Sequence, residues 1–558
     1  MNQKILDTFN EWLNNKSLSN EERKELENIK NNEKEIEDRF YKNLVFGTGG
    51  LRGVEEVGTN RMNRFVIRRA TQGLANYLLK RKDINSVAIG YDSRNNSEKY
   101  SRETAAVLAS NGIKVYLYKE LMPTPALSFA VRYFKCDAGV MITASHNPKQ
   151  YNGYKVYGND GCQCTLDMAN AIYEEIEKID FFNDIKLYDI SILFEKGMIE
   201  YISEDVFNAY MKSTLKESIY QEERKIKIVY TPLNGAGRRC ITTVLKLDGF
   251  NNVSVVKEQE MPDGNFTTCP YPNPEIHEAL TLGIEQLKRE KADVLIASDP
   301  DSDRIGCVVR KGDEVKILTG NEVGLLLLDA LISVKPRTKK APVVVKTIVS
   351  TDMANIMASK YGIEVREVLT GFKFIGEQIH LLEENNEKER YLFGFEESCG
   401  YLTNTDVRDK DAVNAALLLM EVANHLILEG RTLLDRLNEI YEEFGDYKTS
   451  LLTFEYQGVE GQEKIKRIME AFREKTTQDK LAGLKEYGDY LEGMIHGKNV
   501  RPTNLPKSDV MKFFLEDGET ITIRPSGTEP KLKAYIFAYG DNRLNKLVNL
   551  VNDIINNI

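Results

Sequence analysis

The chain has no apolar run long enough to cross a bilayer: the longest, such as "LLLLDALI" at 325–332, fall far short of the roughly 20 residues a spanning helix needs. The opening "MNQKILDTFNEWLNNK" lacks the continuous apolar core of a signal peptide, so a cytoplasmic protein is expected. Positive charge is not in surplus either. A formal net charge of -10 and a pI near 5.4 argue against a nucleic-acid surface or an anionic membrane as the main partner. An anionic substrate must then be met by a local basic pocket. Cysteine is sparse: of seven, only Cys162 and Cys164 are close together, with no CxxC and no histidine pairing nearby, so neither a disulfide framework nor a zinc site is indicated. There is no Gly-Lys-Ser/Thr P-loop. In the glycine-dense "FGTGGLRG" (46–53) no strand precedes the motif and the third glycine of a dinucleotide fingerprint falls on Arg52, which leaves a flexible loop presenting one arginine.

What is present is an ordinary globular composition, 42% hydrophobic and 29% charged. At 558 residues the chain is too long for one core, and about 150 residues per domain predicts three or four domains. Residues 1–40 carry apolar residues at helical spacing (Ile5, Phe9, Leu13). Strands and helices then alternate: "SVAIGYD" (86–92), "KVYLY" (114–118), "AGVMITA" (138–144), "IKIVYT" (226–231), "VSVVKE" (253–258), "DVLIASD" (293–299), "PVVVKTI" (342–348), "EVREVLT" (364–370) and "RYLFGF" (390–395). Strands apolar on both faces and separated by helices predict parallel sheets covered on both sides. A long helix is expected at 411–430 and a charged helical span at 460–485. "ETITIRPSGTEPKLKAYIFAYG" (519–540) predicts two strands around a Gly/Pro loop, then a helix, in a small α+β domain.

Polar motifs sit where these strands stop. Ser145 follows "DAGVMITA" and precedes a stretch rich in Asn, Pro and Gly, read as a glycine-punctuated loop. The serine can be a nucleophile, a turn residue or a carrier of a group, and no G-x-S-x-G elbow surrounds it. Asp299, Asp301 and Asp303, alternating in one loop, can turn their oxygens towards a hard dication such as Mg²⁺. An EF-hand is excluded, because its required glycine and glutamate positions hold Arg304 and Arg310; an acidic turn capping a helix is the plainer alternative. "RPSGTEPKLK" (524–533) offers a guanidinium, two hydroxyls and open amides, either a phosphate cradle or a hairpin rich in turn formers. "GFEESCGY" (394–401) places Glu396, Glu397 and Ser398 at a further strand end, where sugar hydroxyls could donate to carboxylates. Together they point to phosphoryl transfer to or from a polyhydroxy compound, since ligands of open α/β sheets bind beyond the carboxyl ends of strands.

The motifs "TASHNP", "DPDSDR", "GFEES" and "RPSGTEP", in this order and at these separations, resemble the α-D-phosphohexomutases, the superfamily of phosphoglucomutase and phosphomannomutase. The likeness runs from about residue 40 to the C-terminus. It implies three consecutive mixed-sheet α/β domains and a small C-terminal α+β domain around a central cleft. The boundaries expected are 1–40 for the helical extension, then 41–205, 206–315, 316–455 and 456–558. By the same resemblance Ser145 is phosphorylated at rest and, with Asp299, Asp301 and Asp303, holds Mg²⁺. His146 and Lys155 flank the phosphoserine and Arg52 touches the transferring phosphate. Glu396 and Ser398 bind sugar hydroxyls, Arg304 of "DPDSDR" is a further substrate-binding residue, and Gly371 of "LTGFK" contacts the sugar. Arg524, Ser526, Gly527 and Thr528 grip the phosphate that is not reacting.

The chain departs from the family at one place: dual-specificity bacterial members carry a histidine shortly after the sugar-loop serine, where this sequence reads Ser398-Cys399-Gly400-Tyr401. Lys410 in "VRDKDAV" resembles the lysine of an Arg-Glu-Lys-Asp stretch and is the expected acid/base, with a solvated turn lysine as the plain alternative. The resemblance implies interconversion of hexose 1-phosphate and 6-phosphate, with glucose favoured by the double Glu of "EES", and sugar 1,6-bisphosphate as a priming activator. A mannose or pentose phosphate specificity, a metal-dependent phosphatase and a non-catalytic scaffold are the competing readings. The partner expected is a small sugar phosphate, with no nucleic acid or membrane, and the chain a monomer or weak homodimer.

Overall fold

The computed structural model describes residues 2–558 apart from 48, 82–85, 335–338, 457 and 527–530. The first sheet contains β1 (Leu51–Val54), β2 (Ser86–Tyr91), β3 (Lys114–Leu117), β4 (Ala138–Ile142), β5 (Tyr151–Gly158) and β6 (Ile199–Tyr201), in the order β1-β5-β4-β2-β3-β6. β4, β2, β3 and β6 run parallel, and β5 and β1 add antiparallel at one edge. Every residue of β2 and β4 is buried, as continuous apolar strands covered on both faces should be.

The second sheet is β7 (Ile228–Thr231), β8 (Val253–Val255), β9 (Val294–Ser298), β10 (Ile305–Lys311) and β11 (Glu314–Leu318), ordered β11-β10-β9-β7-β8. The third is β12 (Val343–Thr347), β13 (Glu364–Val368), β14 (Tyr391–Glu396) and β15 (Gly400–Leu402), ordered β13-β12-β14-β15. Both repeat the first design, a parallel centre whose last strand turns back into an antiparallel edge. The sheets are mixed, as the resemblance implies; the strand pattern accounts for their parallel centres, and the antiparallel edges arise because the turns after β4, β9 and β14 are too short for a crossover helix.

Those three turns hold the serine, aspartate and glutamate motifs, and each contains a non-glycine residue in the left-handed region: Ser145 at φ 51°, Ser302 at 50° and Cys399 at 60°. Such backbone costs on the order of 1–3 kcal/mol and persists only where surrounding contacts over-determine it. Two expectations are corrected here. The stretch after Ser145, read as a glycine-punctuated loop, is in its later part "YNGYKVYG" the buried strand β5, because its Asn and Gly positions lie inside the sheet beside β4 and β1. Arg52, read as a flexible-loop residue, lies within β1 opposite Gly153.

The fourth sheet is antiparallel and seven-stranded: β16 (Tyr447–Glu455), β17 (Leu484–Asp489), β18 (Met494–His496), β19 (Arg501–Pro502), β20 (Met511–Leu515), β21 (Thr520–Pro525) and β22 (Lys531–Tyr539), ordered β16-β22-β21-β20-β17-β18-β19. Only β21 and β22 stand out in the sequence; the helical reading of 460–485 holds for Gly458–Arg473 and Lys475–Gln478, after which β17 begins. The helix Ala412–Leu428 is buried along nearly its whole length and packs on Gly237–Leu247, joining the second and third sheets in one apolar core. Among the described residues no single helix is long and apolar enough to cross a membrane. Residues 3–40 form three helices whose core centres on Trp12, packed edge-on by Phe40, Phe65, Phe181 and Phe182 at 5.1–5.8 Å.

Candidate active site

Ser145 is 3% exposed and donates its Oγ hydrogen to Asp299 Oδ2 at 2.8 Å, with His146 Nδ1 3.3 Å away. The turn that carries it is held from beneath by Arg94, whose guanidinium donates to the carbonyls of Ser145 (2.6 Å), Asn147 (2.5 Å), Pro148 (3.0 Å) and Tyr151 (2.8 Å). Asp92 pairs with Arg94 at 3.3 Å and accepts from Thr143 Oγ1 at 2.6 Å. Asp92 and Arg94 form no recognisable motif, and the one sequence signal for them is that "GYDSR" ends a strand. Arg52 reaches the same turn, donating to Asn147 Oδ1 at 3.2 Å.

One carboxylate oxygen from each of Asp299, Asp301 and Asp303 lies within 4.8 Å of the other two. All three residues are fully buried. Burial, then repulsion from Asp303 and Asp301, pushes Asp299 well above the usual carboxylate range, and burial with the neighbouring Asp301 raises Asp303. Asp301 goes the other way: burial opposes ionisation, but the Lys155 ammonium at 2.8 Å outweighs it. Asp301 Oδ1 and Asp303 Oδ1 are buried without a hydrogen-bond donor. Converging carboxylates with uncommitted oxygens are the donor set of a hard dication with oxygen ligands, so the residues present fit Mg²⁺.

Lys410, at 7% exposure, is no solvated turn residue. Its Nζ lies 2.9 Å from Asp303 Oδ2 and 3.5 Å from Asp409 Oδ1. Burial disfavours the ammonium, but Asp303, Asp409 and Glu396 together hold its pKa well above the ordinary lysine value. Gly400 lets it pass: a Cβ there would stand 2.7 Å from Lys410 Cδ and 3.0 Å from Glu396 Cγ. Asp409 is in turn fixed by the Tyr157 hydroxyl at 2.9 Å. Tyr157 lies two residues beyond Lys155 on β5, so both side chains leave the same face of the strand. His146 is kept neutral, first by burial and then by Arg304 and Arg52.

On the third sheet Ser398 donates to Glu396 Oε1 at 3.0 Å, and burial raises the Glu396 pKa. Arg304 spans the gap, pairing with Glu275 at 2.7 Å and facing both Asp303 and Glu396. Gly371 precedes the helix Phe372–Glu384 at φ 117°, with open space where a side chain would be. Arg524, on β21, donates to the Tyr535 hydroxyl at 3.3 Å and lies opposite Lys533 of β22. Lys533, whose pKa burial lowers, is within electrostatic reach of Glu275, Glu397 and Arg304. Ser526 N–H donates to the Lys531 carbonyl at 2.7 Å, whereas Gly527 and Thr528 lie outside the described residues.

The structure thus brings Ser145, His146, Lys155, the three aspartates, Arg304, Lys410, Glu396 and Ser398 together from three sheets. A serine hydrogen-bonded to a buried carboxylate triad, with Lys155 and Lys410 on the same aspartates and Glu396 within electrostatic reach of Lys410, is a site suited to phosphoryl transfer. Profiles of the phosphoglucomutase/phosphomannomutase alpha/beta/alpha domains I, II and III match residues 43–183, 207–312 and 319–444, and that of the C-terminal domain matches 459–554; the chain belongs to this family. A phosphoglucomutase of Staphylococcus haemolyticus is 38% identical over 514 residues, covering 91% of this chain and 92% of its own. One of Staphylococcus aureus USA300 is 37% identical over 513 residues, 90% of this chain and 91% of its own. The phosphoglucomutase pp63/parafusin of Paramecium, solved in an open form, superposes with a TM-score of 0.68 at 20% identity, covering 92% of this chain and 95% of that one.

Proposed function

We propose that the chain is a phosphoglucomutase, interconverting α-D-glucose 1-phosphate and glucose 6-phosphate through phosphoserine 145 and a glucose 1,6-bisphosphate intermediate. The observation that carries this reading is the Ser145 Oγ to Asp299 contact inside a buried carboxylate triad that Lys155 of β5 and Lys410 of the loop after β15 enter. Two relatives named phosphoglucomutase and sharing over a third of their residues support it.

In this scheme the bond between phosphorus and Ser145 Oγ breaks as a bond from a sugar hydroxyl oxygen forms, and the hydroxyl proton passes to a base opposite the serine. Mg²⁺ held by Asp299, Asp301, Asp303 and the Ser145 phosphate would offset the charge on the phosphoryl oxygens. Lys155 and Arg52 add fixed positive charge to the same oxygens, which suits a loose transition state stabilised by positioning and electrostatics. Neutral His146 orients the serine oxygen. Lys410, protonated while Asp303, Asp409 and Glu396 face it, is the acid/base opposite Ser145, able to take a proton once those carboxylates are neutralised. Glu396 and Ser398 accept from sugar hydroxyls in either orientation, with Arg304 and the opening at Gly371 bounding the sugar. Arg524, Ser526, Gly527 and Thr528 hold the idle phosphate, the bisphosphate turns over, and its other phosphate returns to Ser145. Glucose 1,6-bisphosphate primes an enzyme that has lost its phosphate. The partner is a sugar phosphate rather than nucleic acid or membrane, the protein acts in the cytoplasm, and it is a monomer or weak homodimer.

Assaying glucose, mannose, ribose and deoxyribose 1-phosphates in parallel tests the specificity; a ribose preference of about tenfold or more, near the discrimination one pocket contact supplies, would sink the glucose assignment. Removing the phosphate grip tests the mutase reading against simple hydrolysis. Arg524→Ala is expected to lower kcat/KM for glucose 1-phosphate by about 10- to 100-fold, the worth of a charge-assisted hydrogen bond, while sparing any hydrolysis of a small aryl phosphate. Equal losses on both substrates would favour a phosphatase.

A further inference from the structure

The aspartate triad is not assembled by the second sheet alone. The helix Thr124–Phe134, which follows β3 in the first sheet's part of the chain, begins at Pro123, a residue whose side chain cannot cap it. Its start is capped from elsewhere: the Thr124 N–H donates to the Asp301 carbonyl at 2.8 Å and Thr124 Oγ1 donates to Asp301 Oδ2 at 2.9 Å. Thr124 is fully buried. Lys155 Nζ, also from the first sheet, lies 2.8 Å from the same Oδ2. Two donors therefore occupy one carboxylate oxygen of Asp301, and the other, Oδ1, has none.

We propose that Thr124 is a positioning residue for the metal: it fixes the rotation of the Asp301 carboxylate so that Oδ1 is turned to the ion. The helix N-terminus adds its dipole to the same carboxylate. Metal affinity is thereby tied to the seating of the first sheet's helix on the second sheet's aspartate loop, since Thr124 and Asp301 are 177 residues apart in the chain. The inference rests on the reading of the triad as a metal site.

The test is Mn²⁺ binding to the purified protein, followed by electron paramagnetic resonance of free Mn²⁺, for the wild type, Thr124→Val, Thr124→Ala and Thr124→Ser. Valine keeps the shape of threonine and removes the hydroxyl; alanine serves if valine does not fold. Outer-sphere partners of metal ligands typically govern affinity by about 10- to 100-fold, so Thr124→Val and Thr124→Ala are expected to raise the Mn²⁺ Kd by that factor. Thr124→Ser, which keeps the hydroxyl, should stay within about threefold of wild type, a rescue that a merely structural role would not produce. Val and Ala variants that bind Mn²⁺ as the wild type does, with only a lowered Tm of the metal-free protein, would overturn the role of Thr124. A wild type that binds no Mn²⁺ would instead overturn the metal reading on which it rests.

Discussion

Ser145→Ala is expected to abolish mutase activity, with a loss of at least about 10⁴-fold, the scale seen when a covalent carrier is removed from a site whose other groups remain. No neighbouring group can substitute. The His146 ring is held neutral, and among the described residues no other side-chain hydroxyl donates to Asp299, whose Oδ2 receives the Ser145 hydrogen. The same substitution has a readout independent of turnover: the wild type as purified should carry an added mass of about 80 Da that the variant lacks. A variant that retained the phosphate, or kept wild-type turnover, would remove Ser145 from the mechanism. The fold should be little changed, because Ser145 contributes its main chain to the turn and that is gripped by Arg94.

Replacing Lys410 should have the next largest effect. Lys410→Met is expected to lower kcat by about 10²–10⁴-fold, the usual contribution of a positioned acid or base, with a much smaller change in KM. Lys410→Arg separates the two roles of the side chain: arginine keeps the charge but does not release its proton. If Lys410 only neutralised carboxylates, the arginine variant would recover most of the activity; if it transfers a proton, the loss should persist. Asp409 and Tyr157 stand behind it, the Tyr157 hydroxyl holding Asp409 at 2.9 Å across 252 residues of chain.

Much of this was legible in the residues. Strands such as "SVAIGY" and "AGVMI" are apolar at every position, so burial on both faces follows from composition. The aspartate alternation in one loop already suggests a shared dication. Other features were misread for local reasons. "YNGYKVYG" has the Asn and Gly content of a loop, yet pairing on both sides overrides that propensity. Arg52 sits in a glycine-dense stretch that becomes an edge strand only because β5 is there to receive it. Thr124, Arg94 and Tyr157 carry no motif, since each acts through a partner far away in the chain.

The sequence by itself determined the chemistry available: a serine, three aspartates, a glutamate pair and an arginine loop, each at the end of a strand whose apolar pattern is local. Only the tertiary structure decided that the serine, aspartate and glutamate turns are equivalent turns of three similar sheets, each with one residue in left-handed backbone. It also decided that Lys155 reaches Asp301 across 146 residues and that Lys410 enters the triad beside Asp303. The reason is physical. Strand and turn preferences act over a few residues, whereas the placing of one sheet's turn against another's depends on which apolar faces are buried together, and that is settled by the whole chain at once.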